Sequence, residues 1–374
     1  LTNTGLPVVV INQETGVTST ETNDEYSKAS AAWYKLTGTK WIPKDGDWQM
    51  TEGVDNFMVY NADGTSAISD KKNAKVDAPI LSSTRLRGNV TQQMPKKAFA
   101  VKLDKKSGVL DMPAHKRWVL LANWMDRTML RNRVAFTIAE KTCLEWTPRG
   151  EFVEVILNGT HVGNYYLCEQ IKVDENRVNI NELEETDTEG DAITGGYLME
   201  LDTYYDEVNK FKSSIMELPY MFKEPDEDVL NKQQFAYMQN YVNRLEEVLY
   251  DDTYFAIREY AKYIDIDTYI DWWLVHEITF NGEPNHPKSS YMHKDKGGKL
   301  KAGPVWDFDW GTFCTKSGYS IKNTLYYPRL FKNKTFFEAI KKHVSGDIQL
   351  IVPNLPPIYG ACVKCCKLYG EFTN

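Results

Sequence analysis

Short apolar runs bounded by turn residues dominate the start of the chain. Val8–Ile11, Trp33–Thr39 and Phe57–Tyr60 read as strands, with a polar Thr/Asn/Glu stretch after the first and turns at Asp45-Gly46 and Asp63-Gly64. Phe99, Val101 and Leu103 alternate with Ala98, Ala100 and Lys102, the period of a strand with one buried face. Ser83–Arg87 lies upstream across a connection holding Gly88 and Pro95, so residues 83–104 predict a hairpin. Phe152–Leu157 and Tyr165–Val173 flank Asn158-Gly159, a pair suited to a tight hairpin turn. Gly196–Leu201 predicts a further strand, and Asn181–Asp191 an acidic loop.

Helical spacing enters between these strands and prevails after them. Leu130, Val134, Ile138 and Ala139 predict a helix to about Thr142, capped by Asp126 or Thr128. Residues 228–250 and 253–263 carry helical patterns, and Asp267–Thr279, with Trp272, Trp273 and Val275, predicts a buried helix. Tyr291–Lys294, a turn at Lys296-Gly297-Gly298 and Leu300–Asp309 predict a last hairpin. Strands, one helix, strands, then helices and a closing hairpin make an α+β layout without the alternation of a doubly wound sheet.

Composition narrows the class. A chain of 374 residues that is 42% hydrophobic and 13% aromatic can bury a large core, as one large unit or two intimate domains. Lys+Arg 44 against Asp+Glu 52 leaves a net charge of −8, which argues against nucleic-acid binding by bulk electrostatics. No run approaches the ~20 apolar residues that span a bilayer. The chain opens on Leu1 with no initiator Met or signal segment, which suits a secreted chain whose signal has been removed. Cys143, Cys168 and Cys314 lie singly in apolar surroundings and read as buried free thiols. Cys362, Cys365 and Cys366 form a C-x-x-C-C cluster that lacks the second ligand pair of a zinc site.

Candidate chemistry is concentrated in three places. In Gly303-Pro304-Val305-Trp306-Asp307-Phe308-Asp309-Trp310-Gly311, an extended strand would put Asp307 and Asp309 on one face. Two adjacent buried carboxylates need compensation, either from a divalent metal or from backbone N–H groups and an Arg. Arg85, Arg87, Gly88 and Asn89 crowd one turn, with Lys102 on the paired strand. Arg clamps oxygens, Gly admits backbone N–H groups, and a strand-borne Lys adds a fixed charge, which is how a hairpin cradles phosphates. The other reading of Lys102 is a solvent-facing edge lysine.

The third place is Asn281-Gly282-Glu283, followed by His286, Lys288, Ser289 and Ser290. A loop carboxylate ahead of a metal-binding Asp suits phosphoryl transfer, one acid deprotonating a hydroxyl and the other holding Mg²⁺. The same residues also suit a plain turn. His276-Glu277 is not an H-E-x-x-H zinc motif, because Phe280 stands where the second His belongs. His115 and His161 are isolated and read as structural. Trp272-Trp273 reads as core, or as an aromatic platform for a sugar.

Taken together, several motifs resemble the spore-coat CotH kinase family, an atypical secretory-type protein kinase group. They are Arg85-Leu86-Arg87-Gly88-Asn89, Pro95-Lys96-Lys97 leading into Ala98–Leu103, Trp118–Asn123 with Asp126, and Leu130-Arg131-Asn132. Leu157-Asn158-Gly159, Gly163–Glu169 and Gly303–Gly311 follow in order. The resemblance divides the chain into a β-rich segment over 1–80, a kinase-like core over 81–342 and an atypical tail over 343–374. It implies a divergent protein-kinase-like α+β fold, with a nucleotide held between a β-rich N-terminal part and a helical C-terminal part.

By that resemblance Lys102 is the ATP-phosphate lysine, with Lys97 as a competitor, and Arg85, Arg87, Gly88 and Asn89 join it at the nucleotide. Glu169 would pair with the lysine. Asp307 would bind the metal, with Asp309 as a further ligand, and Glu283 would be the catalytic acid/base where the family often has Asp. Ser290 stands where some members carry a metal-binding Asn. The implied cofactors are ATP and Mg²⁺ or Mn²⁺, and the implied partner is a secreted, envelope or spore-coat protein phosphorylated on Ser or Thr. Nucleic acid is not expected as a partner, and the location would be extracytoplasmic. The Glu283 and Ser290 departures leave open a catalytically weak or inactive surface or coat-assembly module.

Overall fold

A computed structural model describes residues 1–13, 33–44, 55–314 and 318–351. The predicted Asp45-Gly46 turn, the polar stretch before Trp33 and the tail with Cys362, Cys365 and Cys366 lie outside these residues. The chain divides into two compact units, the first built from Leu1–Met129 and Pro148–Gln170, the second from Leu130–Thr147 and the chain from Ile171 onward.

The first unit is a β-barrel. Its strands in chain order are β1 (Val8–Asn12), β2 (Trp33–Thr37), β3 (Lys40–Lys44), β4 (Asp55–Tyr60), β5 (Ile68–Ser69), β6 (Ile80–Arg87), β7 (Ala98–Val109), β8 (Met112–Leu121), β9 (Gly150–Leu157) and β10 (Thr160–Glu169). Seven of them pair in the order β7-β6-β4-β1-β9-β10-β8, and β8 returns to β7, so the sheet closes on itself. Closure removes the exposed edges an open sheet would carry. β5 attaches to the far end of β7, and β2 and β3 form a separate ribbon. β1 lies between β4 and β9 with all five residues buried, which explains its unbroken apolar run. Val9, Phe57, Phe99, Val101, Trp118, Val155, Tyr165 and Leu167 belong to the barrel's core. The β9–β10 hairpin turns at Asn158 and Gly159, both at positive φ (47° and 79°), as a type I′ turn requires.

The second unit combines helices with a small sheet. Its elements are α1 (Arg131–Ala139), β11 (Tyr197–Leu201), β12 (Lys210–Lys212), β13 (Pro219–Glu224), α2 (Lys232–Tyr250), α3 (Asp252–Ala256), α4 (Ile266–Thr279), β14 (Ser290–Lys294), β15 (Leu300–Ala302), α5 (Tyr327–Leu330) and α6 (Lys334–Ile351). The sheet is antiparallel in the order β12-β13-β11-β14-β15. α2 starts on a capping box: Asn231 accepts from the Gln234 N–H at 2.8 Å, and the Gln234 side chain accepts from the Asn231 N–H at 3.1 Å. α4 is buried from Thr268 to Thr279, as its apolar run predicts.

The α+β class and the β-rich N-terminal part stand. The β-rich part is a closed seven-stranded barrel, which is not the ordinary protein-kinase arrangement. Two local expectations need correction. α1 begins at Arg131 with no side-chain cap. Asp126 instead accepts the Thr128 N–H and hydroxyl at 2.9 and 2.7 Å, which closes a turn before the helix. The last hairpin is shorter than predicted, because β15 ends at Ala302 and residues 303–309 are not strand.

Candidate active site

The end of β15 determines how Asp307 is presented. Beyond it Val305, Trp306 and Phe308 are buried, with Trp306 stacked on Phe136 (5.9 Å) and Phe308 stacked on His276 (5.1 Å). Asp307 adopts φ +66°, in the left-handed region, so strand alternation breaks at this residue. The expectation that Asp307 and Asp309 share one face of a strand is therefore overturned. Asp307 is half-buried and Asp309 nearly buried. A left-handed non-glycine residue costs about 1–3 kcal/mol and persists only where its surroundings hold it. Four contacts do so here. The Phe308 N–H donates to Asn132 Oδ1 at 2.8 Å, and Asn281 Nδ2 donates to the Asp307 carbonyl at 3.3 Å. Arg131 Nη1 donates to the Asp309 carbonyl at 3.0 Å, and Ser289 Oγ donates to Asp307 Oδ2 at 3.4 Å.

Glu283 sits where α4 has just ended. Phe280, at φ +56°, stops the helix, and the Asn281 side chain accepts the Glu283 N–H at 3.0 Å. Glu283 opens a single 3₁₀ turn through Asn285 and is only 7% exposed. Among the described residues no hydrogen bond reaches its carboxylate. Burial pushes its pKa up to about 7, the Asp307 and Asp202 charges add to the rise, and the Lys288 ammonium partly offsets it. A carboxyl poised near 7 can take a proton from a hydroxyl.

Asp202 follows β11 directly and ties the neighbourhood together. It accepts the Tyr204 N–H at 2.8 Å and the Ser289 N–H at 3.2 Å, while Lys288 Nζ lies 4.7 Å over the Tyr204 ring. Burial raises the Asp202 acid as well. Ser290 does not face this group. Its hydroxyl donates to the Lys288 carbonyl at 3.0 Å, and Ser289 makes the contact with Asp307. The sequence alone does not point to Asp202, and it marks Lys288 and Ser289 only as neighbours of Glu283. Asp202 does follow a predicted strand end, which is where such residues tend to collect.

In the barrel, cross-strand register sets the faces. Ser83 pairs with Lys102, Arg85 with Ala100 and Arg87 with Ala98, and Lys102 also pairs with Arg117. Lys102, Arg85, Arg87 and Arg117 therefore share one face, with Lys102 and Arg85 exposed. Gly88 follows at φ +91°, where a Cβ would sit 1.9 Å from Thr91 Oγ1, so glycine is required. Asn89 is exposed, and its side chain caps no backbone group of the turn after it.

Glu169 lies on the other face. It pairs across β8 with Trp118, which pairs with Val101. Arg149 grips it by Nε and Nη2 at 2.9 and 2.8 Å, and the Arg149 backbone N–H adds a third bond at 3.0 Å. The expected Glu169–Lys102 pair is replaced by this one. Lys97 is equally committed, only 9% exposed with its ammonium on the Gln92 carbonyl at 2.6 Å. Lys96 donates to the Ala122 and Asn164 carbonyls above the Tyr165 ring, and burial lowers its pKa to about 8. Of the three cysteines expected to be buried, only Cys168 is. Cys143 is exposed and Cys314 half-buried.

Among the described residues no three His, Cys, Asp or Glu side chains converge as a metal-ion site. Mg²⁺, however, is usually held by one or two carboxylates, with water and substrate phosphates completing the octahedron. Asp307 fits that mode: a half-buried carboxylate whose charge is felt at Glu283 and would be balanced by a cation. No curated protein matches the chain. A family model described as CotH kinase protein matches residues 84–343. That match begins within β6 and ends within α6, taking in the barrel cations as well as Glu283 and Asp307, and the chain belongs to the CotH kinase protein family.

Proposed function

We propose that the chain is an atypical protein kinase that transfers the γ-phosphoryl of ATP to a Ser or Thr hydroxyl of a secreted, envelope or coat protein outside the cytoplasm. The observation that carries this reading is Glu283, a buried carboxyl raised to about 7 beside Asp307, with no hydrogen bond to its carboxylate among the described residues. In this reading Glu283 accepts the hydroxyl proton as the acceptor oxygen attacks the γ-phosphorus, and the bond to the ADP oxygen breaks. Asp307 would hold a divalent cation, Mg²⁺ or Mn²⁺, which when bound neutralises charge on the phosphates. Lys102, Arg85 and Arg87 would meet phosphate oxygens, with Gly88 and Asn89 offering backbone N–H groups.

The test is phosphate incorporation with ATP and Mg²⁺ or Mn²⁺, comparing wild type with Glu283→Ala and Asp307→Ala. Both variants should lose activity, Glu283→Ala by about 10²–10⁴-fold. Equal incorporation in all three would overturn the mechanism. A rise in melting temperature with nucleotide and metal should accompany activity, by mass action. Its absence at millimolar nucleotide would favour a kinase-like binding module without turnover.

A further inference from the structure

We infer that Asn281 and Asn132 are positioning residues: two buried carboxamides grip opposite ends of the Asp307–Phe308 peptide, and Asn281 also fixes the backbone of Glu283. The functional consequence rests on the kinase reading, but the geometry does not. Asn281 is fully buried and Asn132 is 2% exposed. The Glu283 N–H can be met only by an acceptor, which assigns Oδ1 of Asn281 to it at 3.0 Å. Nδ2 of the same amide then faces the Asp307 carbonyl at 3.3 Å. From the first turn of α1, Asn132 Oδ1 takes the Phe308 N–H at 2.8 Å.

The Asp307 carbonyl and the Phe308 N–H belong to one planar peptide unit. Held at both ends, that plane cannot swing, and the direction of the Asp307 side chain is set with it. The Phe308 ring supports the clamp from inside the unit, stacked on His276 and edge-on to Phe136 of α1. The two asparagines are not equivalent. Asn132 bonds the metal-ligand loop, whereas Asn281 bonds both that loop and the acid/base. One carboxamide therefore sets the spacing between the residue that would hold the metal and the residue that would take the proton. Aspartate at 281 would keep the acceptor and lose the donor. Glutamine would carry the amide one methylene too far.

Amide hydrogen exchange on the whole chain without nucleotide tests the clamp apart from turnover. In Asn281→Ala, exchange at Glu283 and Phe308 should quicken by about tenfold or more. In Asn132→Ala the increase should appear at Phe308 and not at Glu283, and Asn281→Asp should restore protection at Glu283 alone. Val155 in the barrel and Val275 in α4 should stay protected throughout. A uniform rise across α4, or no rise at Phe308, would overturn the inference, since either marks a merely structural amide. Should Asn281→Ala fail to fold, Asn281→Asp and Asn132→Ala carry the same contrast. A second readout is Mn²⁺–ATP affinity, where Asn281→Ala added to Asp307→Ala should cause no further loss, and additive losses count against the inference. Predicted exchange in a chain that incorporates no phosphate would leave the clamp standing and remove the kinase reading.

Discussion

Two buried glutamates, one in each unit, meet opposite surroundings. Glu169 closes the end of β10, where Arg149 gives it two guanidinium bonds and a backbone N–H. Glu283 is nearly as buried, yet its nearest charges are two other carboxylates and one lysine. A buried carboxylate with its donors in place is a finished structural contact. One pushed toward neutrality by burial and like charge is held ready for a proton or a cation. Burial alone therefore does not mark a functional acid, and the count of donors around it does.

The largest expected effect breaks this contrast directly. Glu283→Gln should reduce phosphate incorporation by about 10²–10⁴-fold and leave the thermal midpoint unchanged or raised, since it removes an uncompensated buried acid. Glu169→Gln should lower stability by about 1–3 kcal/mol, toward the low end because Arg149 is 40% exposed. Similar losses of both activity and stability at both positions would erase the distinction.

A second prediction sharpens it through pH. A base near 7 must be deprotonated to work, so incorporation should rise with pH through about 7. A cation on Asp307 would remove the main like charge at Glu283, so raising Mn²⁺ should move that limb to lower pH. The stability sign is the reverse of an ordinary paired carboxylate. Between the ordinary glutamate value of 4.5 and about 7 the folded chain binds more protons than the unfolded one, so this group's contribution falls as pH rises through that window. Glu283→Gln should flatten that slope in urea titrations, and an unchanged slope would show that Glu283 ionises normally.

How much of this could be read from the residues differs between the units. The 152–169 hairpin, the β6–β7 pair and the buried α4 announce themselves through Asn-Gly, alternation and an apolar run. β8 does not. Pro113, Ala114, His115, Lys116 and Arg117 hide its alternation until Trp118, and barrel closure rests on its hairpin with β7 together with its non-local pairing with β10. β12 and β13 are short and begin at Lys210 and Pro219, which read as loop. Asp307 and Glu283 were readable as acids in suggestive loops. The left-handed turn at Asp307 was not, because the two asparagines, Arg131 and Ser289 impose it from distant parts of the chain and override the strand-like Trp-Asp-Phe-Asp-Trp pattern. Arg149 was hidden for a similar reason, since the β9–β10 hairpin carries it to Glu169.

The smallest expected effect repeats the contrast with two histidines of the second unit. His276 is fully buried among Trp272 and Phe308 with no hydrogen-bond partner on either ring nitrogen among the described residues, and burial pushes its pKa down to about 3. His343 on α6 reaches Asp271 at 2.7 Å and Asp267 at 3.1 Å on α4, and its pKa is raised, chiefly by the Asp271 bond. Below pH 6.5 the unfolded chain protonates the histidine at 276 while the folded chain refuses the proton, so stability falls as pH drops from 6.5 toward 3. His343 works the other way: its contribution is complete below 6.5 and is lost as pH rises through its raised folded value. His276→Leu should therefore flatten the acid-side decline in urea midpoints. His343→Gln should lower stability at about pH 5 more than at about pH 8, by about 1 kcal/mol, because the glutamine amide can still donate to the 1%-exposed Asp271 carboxylate while the charge is lost. An equal loss at both pH values would mean that packing of α6 on α4, and not the charge on His343, holds the helix in place.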